Sequence, residues 1–267
     1  MQTTSDVYKE ILSSDNYWFE TSIRIGDVGG ELITPENETL VFGVGDEAVE
    51  IIVDDGTPDS GYGEDRLFSM ATESALFSND EPTVGSAISG EIDIEMFKPA
   101  APIARMAKIT AHVRAANDEQ KSEWLSRGTY FIDTREETQN VENTDMLTLH
   151  GYDAMMKFEQ DYADDKSTAT ERVDIDMVKY MASVAGITVD ARTIALMNKK
   201  YKYPLPSGYS MREVLGYIAG SYGGNFVISD ENQLLLVTLG GLPAETNYLI
   251  DHFGREMIFG DTRIKLQ

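Results

Sequence analysis

The sequence predicts an α+β chain, mostly β, in which an antiparallel barrel-like domain comes first and a smaller α+β domain follows. Three observations carry that expectation. Short apolar runs separated by turn residues fill roughly the first 150 positions, the signature of closely spaced antiparallel strands. One run, 88–96, alternates strictly between apolar and polar residues. Beyond position 151 the apolar spacing changes to every third or fourth residue, the period of a helix with one buried side. A chain of 267 residues suits about two domains at roughly 100–200 residues each. It is also long enough to bury a core without disulfide or metal staples. The domains are expected at 1–150 and 151–240, with 241–267 a strand segment that returns to the barrel or starts a second one.

The elements follow in order. A short helix is expected at the start, capped by Thr4, with Val7, Tyr8, Ile11 and Leu12 on one side. Strands are expected from residue 17 onward, then at 39–44, 49–53, 66–70 and 74–77, with turn signals at 27–30, 35–37, 43–46 and 54–63. In 88–96, Ile88, Gly90, Ile92, Ile94 and Met96 share one face, and Ser89, Glu91, Asp93 and Glu95 the other. That is a half-buried strand with an acidic exposed face. Strands at 106–115, 129–134 and 146–151 come next. A helix over 152–162 buries Ala154, Met155, Phe158 and Tyr162. A second, 174–185, carries Ile175, Val178, Met181, Ala182 and Ala185 and ends at Gly186. A third opens on Ser210 and Glu213, the S-x-x-E capping box. Residues 225–229 and 233–239 form a hairpin, and 257–260 and 262–266 are strand-like. The chain stops without a closing turn, as expected of a fragment or of a chain completed by a partner.

Composition excludes several functions. Asp and Glu number 46 against 22 Lys and Arg, a net charge of −24. Residues 1–100 hold 22 acidic and 4 basic side chains, −18 of that total. A surface this acidic repels nucleic acid and anionic membranes. No run approaches the ~20 apolar residues of a membrane span. Residues 1–18 lack the basic start and apolar run of a secretory signal, so none is expected. The absence of cysteine removes disulfides, Cys-ligated zinc and a thiol nucleophile.

Catalytic patterns are also missing. His112, His150 and His252 stand alone, with no metal-ligand spacing, and read as structural or solvent-facing. In 85–90 the serine directly follows Gly85, which breaks the G-x-S-x-G spacing of a nucleophile elbow and leaves a turn entering a strand. Asp54, Asp55, Asp59, Glu64 and Asp65 concentrate five carboxylates without the spacing of an EF-hand, and read as a solvated loop. Glu91, Asp93 and Glu95 lie ~6.5 Å apart, within the range of an inverting glycosidase pair, but every acidic strand face shares that spacing. The glycines at 220–224 follow a helix rather than precede one, so they form a cap and not a phosphate cradle. Tyr201, Tyr203 and Tyr209 with Lys199, Lys200 and Lys202 form a basic-aromatic patch, read as a packed loop. No catalytic, cofactor-binding or metal-ligating residue is assigned. No cofactor and no enzymatic activity are expected. Trp124 is the candidate packing anchor of the turn before the strand at 129–134.

Four passages together resemble a known family. They are Pro82-Thr83-Val84-Gly85 with the alternating strand after it; Ser122-Glu123-Trp124-Leu125-Ser126-Arg127-Gly128-Thr129-Tyr130-Phe131-Ile132-Asp133; Leu147-Thr148-Leu149-His150-Gly151-Tyr152-Asp153-Ala154-Met155; and Met211-Arg212-Glu213-Val214-Leu215-Gly216-Tyr217-Ile218-Ala219 with Gly223-Gly224-Asn225-Phe226. In that order and spacing, over about 80–240, they resemble the bacteriophage tail hub family: the baseplate hub of contractile tails and the N-terminal hub of tail-associated proteins. The resemblance implies a tube-type barrel and a structural virion protein at the tail tip, made in the host cytoplasm. It implies a homotrimer that connects tail-tube or distal tail proteins to a spike or fibre. The family chain usually continues into a second tube domain, whereas this one ends at Gln267. A DNA conduit benefits from carboxylates, because cationic contacts generate non-specific affinity. Glu91, Asp93 and Glu95 are therefore candidate lumen-facing residues, past which DNA moves without specific binding. The competing expectations are a receptor- or carbohydrate-binding tail module and a tail-associated peptidoglycan hydrolase.

Overall fold

The computed structural model describes residues 4–26, 57–77, 82–99, 103–104, 106–139, 145–163, 171–239, 258–259 and 262–263. The strands expected at 39–44 and 49–53 lie outside the described residues.

Helix α1 (Asp6–Leu12) is capped by Ser5, not by Thr4: the Ser5 hydroxyl accepts the Tyr8 N–H at 3.1 Å. The Ser5 N–H also donates to Glu123 at 2.6 Å, which ties the helix to the turn before Leu125. Ile11 is its buried anchor. Strands β1 (Trp18–Gly26), β2 (Leu67–Glu73), β3 (Glu91–Phe97), β4 (Lys108–Ala116), β5 (Leu125–Gln139) and β6 (Asp145–Asp153) form one antiparallel sheet in the order β1-β4-β5-β6-β3-β2. Its two edges meet. Ile23 of β1 and Tyr62, on the segment leading into β2, exchange backbone hydrogen bonds of 3.0 and 2.8 Å. The sheet is thereby a nearly closed barrel. Its interior is apolar, filled by Ile23, Ile92, Ile94, Met96, Ile109, Ile132 and Leu149. The chain is mostly β, with helices gathered after the barrel.

Among the boundaries that differ from the sequence expectation, three do so for a pairing reason. Residues 74–77 are not a strand, because β2 runs out of partner where Glu73 faces Glu91, the first residue of β3. The strand expected from 88 starts at Glu91, because Ile88 gives its N–H to Phe226 O at 2.8 Å, outside the barrel. β5 runs five residues past 134, because its polar end pairs with β6 out to Gln139 and Asp145.

The region after β6 packs a second core. The helix expected over 152–162 starts later and is tighter: β6 continues through Asp153, and a 3-10 helix occupies Ala154–Glu159. Its buried side is nevertheless the expected one, Ala154, Met155, Phe158 and, beyond its end, Tyr162. Strand β7 (Glu171–Val173) leads into α2 (Asp174–Ala185), which Gly186 ends in the left-handed conformation at φ 74°. Strand β8 (Thr188–Val189), α3 (Ala191–Leu196) and β9 (Lys202–Pro204) follow, then α4 (Met211–Ser221). The hairpin of β10 (Gly224–Ile228) and β11 (Gln233–Thr238) completes the region, with β8 parallel to β11. Met155, Phe158, Val178, Met181, Leu215, Ile218 and Phe226 form its core, which also takes in Phe131 and Ala87. Two short strands, β12 (Ile258–Phe259) and β13 (Thr262–Arg263), pair antiparallel.

Both halves of the capping box are present on α4: Ser210 Oγ accepts the Glu213 N–H at 3.2 Å, and Glu213 accepts the Ser210 N–H at 2.8 Å. Ser210→Ala is expected to cost about 1 kcal/mol. A urea melt reads this as a lower midpoint with an unchanged slope.

Candidate functional site

The outward face of the barrel around β3 is acidic. Ile92, Ile94 and Met96 point into the core, which turns Glu91, Asp93 and Glu95 outward by the two-residue strand period. Across β2, Glu73 stands directly opposite Glu91; across β6 and on to β5, Thr148 and Glu136 continue the row of Glu95. Like charges directly opposite each other are destabilising, so the Glu73–Glu91 pair carries a cost the fold does not need. The Asp93 carboxylate is 65% exposed and lies 2.8 Å from His150 Nδ1. The His150 ring stands edge-on to Tyr152, with centroids 4.9 Å apart.

Trp124 sits at a different corner, half-buried beside β1 and β4. Its Nε1–H donates to Asp59 at 3.1 Å, and the Arg114 guanidinium lies 4.1 Å over its ring. Arg114 also binds Asp59 at 2.9 Å and Glu20 at 2.7 Å, and Lys121 binds Glu20 at 2.8 Å. Burial alone raises the Glu20 carboxyl, but the hydrogen bonds from Lys121 and Arg114 outweigh it and hold Glu20 below the usual carboxylate range. Of the five carboxylates concentrated at 54–65, Asp59 is thus engaged by this network, and Asp54 and Asp55 lie outside the described residues. In a Trp18→Phe background, Trp124 fluorescence is expected to be quenched by iodide well below the rate of free tryptophan. A Stern–Volmer slope equal to that of free tryptophan would show an exposed ring.

The joint between the barrel and the helical region is polar. The Asp153 carboxylate is buried and accepts the Gly90 N–H at 2.6 Å, the Met155 N–H at 2.9 Å and the Ser89 hydroxyl at 3.0 Å. Burial pushes its pKa up to about 6, against the lowering effect of those donors. The Asn225 amide donates to Leu76 O at 2.8 Å and Thr83 O at 2.7 Å and accepts the Ser86 N–H at 2.9 Å. At Gly216 a β-carbon would lie 2.7 Å from Gly85 O, so α4 and the turn at Gly85 touch backbone to backbone. Arg212 closes the joint, donating to Ala87 O at 2.8 Å and pairing with Glu159. Two adjoining grooves of about 620 and 600 Å³ meet at this ion pair.

The basic-aromatic patch is split. Tyr201 lies against Tyr222 with the rings tilted at 58° and centroids 5.5 Å apart, and Tyr203 packs against the helical core. Tyr209 stands edge-on to Tyr217, centroids 5.6 Å apart, away from them along the chain. His112 is half-buried in β4, and burial lowers its pKa; His252 lies outside the described residues. Among the described residues no group of three or more His, Asp or Glu is arranged to hold a metal ion, and no helix is long and apolar enough to cross a membrane.

No protein-family model matches the sequence, and no curated protein does. Solved structures similar to it include the following two. The 43 kDa tail protein of prophage MuSo2 from Shewanella oneidensis has a TM-score of 0.48 at 13% identity, covering 83% of this chain and 56% of that one. The tail protein of Neisseria meningitidis MC58 has a TM-score of 0.45 at 12% identity, covering 82% of this chain and 51% of that one. Both are tail proteins. The chain spans about half the length of each.

Asp153 and Asn225 carry no assignment in the sequence reading. The one available signal for Asp153 is an acidic residue two positions before the Met155 N–H that it caps. Asn225 offers no local signal, since the Ser86 N–H it binds is 139 residues away in the chain.

Proposed function

We propose that this chain is a structural bacteriophage tail protein. Three copies form a ring-shaped hub at the tail tip, joining tail-tube or distal tail proteins to a spike or fibre. In that reading residues 1–150 are the hub barrel, 151–240 an α+β domain that braces it, and 241–267 the strand segment leading into or back from a barrel. Glu91, Asp93 and Glu95 face the lumen and keep passing DNA from binding.

The observation that carries the reading is the acidic row on β3. Glu91, Asp93 and Glu95 project from a fully paired central strand, with Glu73 facing Glu91 across the ladder. That pair costs stability in a lone chain, and the acidic row suits the wall of a conduit for polyphosphate, where cations would cause sticking. Light scattering of the full chain tests it, with a ring of three copies expected at micromolar protein. Carboxylates gathered around a lumen repel over ~8 Å at physiological salt and further at low salt, so the ring is expected to dissociate more readily at low ionic strength. Replacing Asp93 and Glu95 with Asn and Gln is expected to reduce that salt response and leave the far-ultraviolet dichroism unchanged. A monomer at every salt concentration overturns the ring; a ring indifferent to the double substitution overturns the lumen assignment.

One observation favours a second reading, a glycan-binding tail module. Tyr217 and Tyr209 are 61% and 42% exposed beside the groove lined by Ser86, Ser210 and Arg212. Titration with host surface polysaccharide, followed by tyrosine fluorescence, decides it.

A further inference from the structure

We propose that the basic turn 200–202 of one copy seats in the acidic groove of a neighbouring copy, at the joint between its barrel and α4, so that the ring is built head to tail. This rests on the ring-forming reading above.

The turn is built to present charge. Lys200 and Lys202 are exposed, and neither forms an ion pair among the described residues. Lys200 holds the left-handed conformation at φ 55°. Next to it the Tyr201 N–H donates to the buried Asp174 carboxylate at 3.2 Å, and Tyr201 leans on Tyr222. Lys202 is fixed in the ladder opposite Val173. With the backbone of the turn held before binding, only the lysine side chains remain to be ordered on docking.

The groove is built to receive it. It measures about 600 Å³ and is lined by Glu73, Glu91 and Asp133 over an apolar floor of Ala87 and Ile88. Glu73 and Asp133 are exposed and form no ion pair among the described residues. Glu73 and Glu91 face each other across paired strands, a repulsion that an incoming ammonium relieves. The aliphatic stem of a lysine suits the floor while its head meets the rim.

The occupant is a second copy for two reasons. The chain carries −24, so a contact that sets cations of one copy against carboxylates of the other offsets the repulsion between copies. Arg114, Lys121, Lys98, Arg192 and Arg212 are already in ion pairs within the chain; Lys108, Arg127 and Lys179 are exposed without one among the described residues but stand singly along the chain, whereas Lys200 and Lys202 stand two apart on one turn. The turn and the groove also lie at opposite ends of α4. Arg212, at its start, lines the groove, and Tyr222, after its end, supports the turn. The helix has 11 residues and is about 16 Å long, so the two surfaces of one copy cannot meet. Complementary patches at opposite ends form a heterologous contact, which closes into a ring when the rotation allows.

Sedimentation velocity on the full chain tests the docking. Lys200→Glu with Lys202→Glu sets like charges against the groove, and Glu73→Lys with Asp133→Lys does so against the turn. Each pair is expected to weaken assembly about tenfold or more in concentration, with dichroism confirming that each variant folds. All four substitutions in one chain restore opposite charges across the contact and are expected to recover the ring. A zero-length carbodiimide joins Lys200 or Lys202 to Glu73 or Asp133 in the wild type. Isotope-labelled and unlabelled copies, mixed, show the joined peptides to come from two chains. A wild-type ring with both charge-reversed pairs still assembling normally, or with cross-links confined to other surfaces, overturns this contact and leaves the ring standing. A monomeric wild type overturns the ring itself.

Discussion

Asp153→Ala is expected to lower the unfolding free energy by about 3 kcal/mol, among the largest losses a single substitution can cause here. The carboxylate accepts the Gly90 and Met155 N–H groups, which have no other acceptor among the described residues, and a buried donor left without an acceptor costs roughly 1–3 kcal/mol. It also ties the entry of β3 to the end of β6 and caps the 3-10 helix, so three segments loosen together. The wild type carries a pH signature at this position. Burial raises the folded pKa from 3.8 to about 6, so between those values the folded chain binds more protons than the unfolded chain. Stability from this group is therefore fully present below pH ~4 and is lost as pH rises through about 6. The loss amounts to about 3 kcal/mol at roughly 1.4 kcal/mol per pKa unit. The chain holds 46 Asp and Glu side chains, so the measurement is a difference. Denaturant melts of wild type and Asp153→Asn are compared from pH 4 to pH 7, and the wild-type advantage is expected to shrink as pH rises. A constant difference across that window would show that Asp153 titrates normally.

The parts of this fold that were legible in the sequence are those whose stabilisation is local or periodic. The alternation of Ile92, Ile94 and Met96 marks β3 because one side of that strand is buried and the other is not. The stripe of α2 and the capping box of α4 are readable for the same reason, since each depends on neighbours within about four positions. The short elements between them were not legible. In α3 Thr193 is the buried residue and Ile194 is exposed, so no apolar stripe exists to be seen. Strands β7, β8 and β9 have two or three residues each, too few for a period. The far end of β5 is polar throughout and is held by its ladder to β6 rather than by burial. The outward placement of Glu91, Asp93 and Glu95 follows from the alternation itself, whereas the groove beside them depends on residues from β2, β5 and α4 that only the fold brings together.

Asn225→Asp is expected to be the more damaging of the two nearly isosteric changes at the joint, and to be so in a pH-dependent way. Asn225 is 1% exposed and uses both ends of its amide. Its Nδ2 donates to the carbonyls of Leu76 and Thr83, and its Oδ1 accepts from Ser86, which pins two stretches of the chain before β3 to the start of β10. Asparagine alone among residues of this size supplies two donors and an acceptor in that arrangement. An aspartate keeps the acceptor but sets an anionic oxygen against two carbonyl oxygens, in a site too dry to screen the repulsion. Neutralising the carboxyl restores one donor, so the introduced group has its folded pKa raised above the unfolded value. Its stability contribution is then largest below pH ~4 and falls as pH rises. The expected loss is about 2 kcal/mol at pH 4 and about 4 kcal/mol at pH 7, from one and two unmet partners plus the buried charge. Asn225→Ala removes all three bonds without adding charge and is expected to cost about 3 kcal/mol at both pH values. Denaturant melts of the two variants at both pH values check this. If Asn225→Asp is as stable at pH 7 as at pH 4, the two carbonyls are not fixed against this side chain, and the joint is softer than its hydrogen bonds imply.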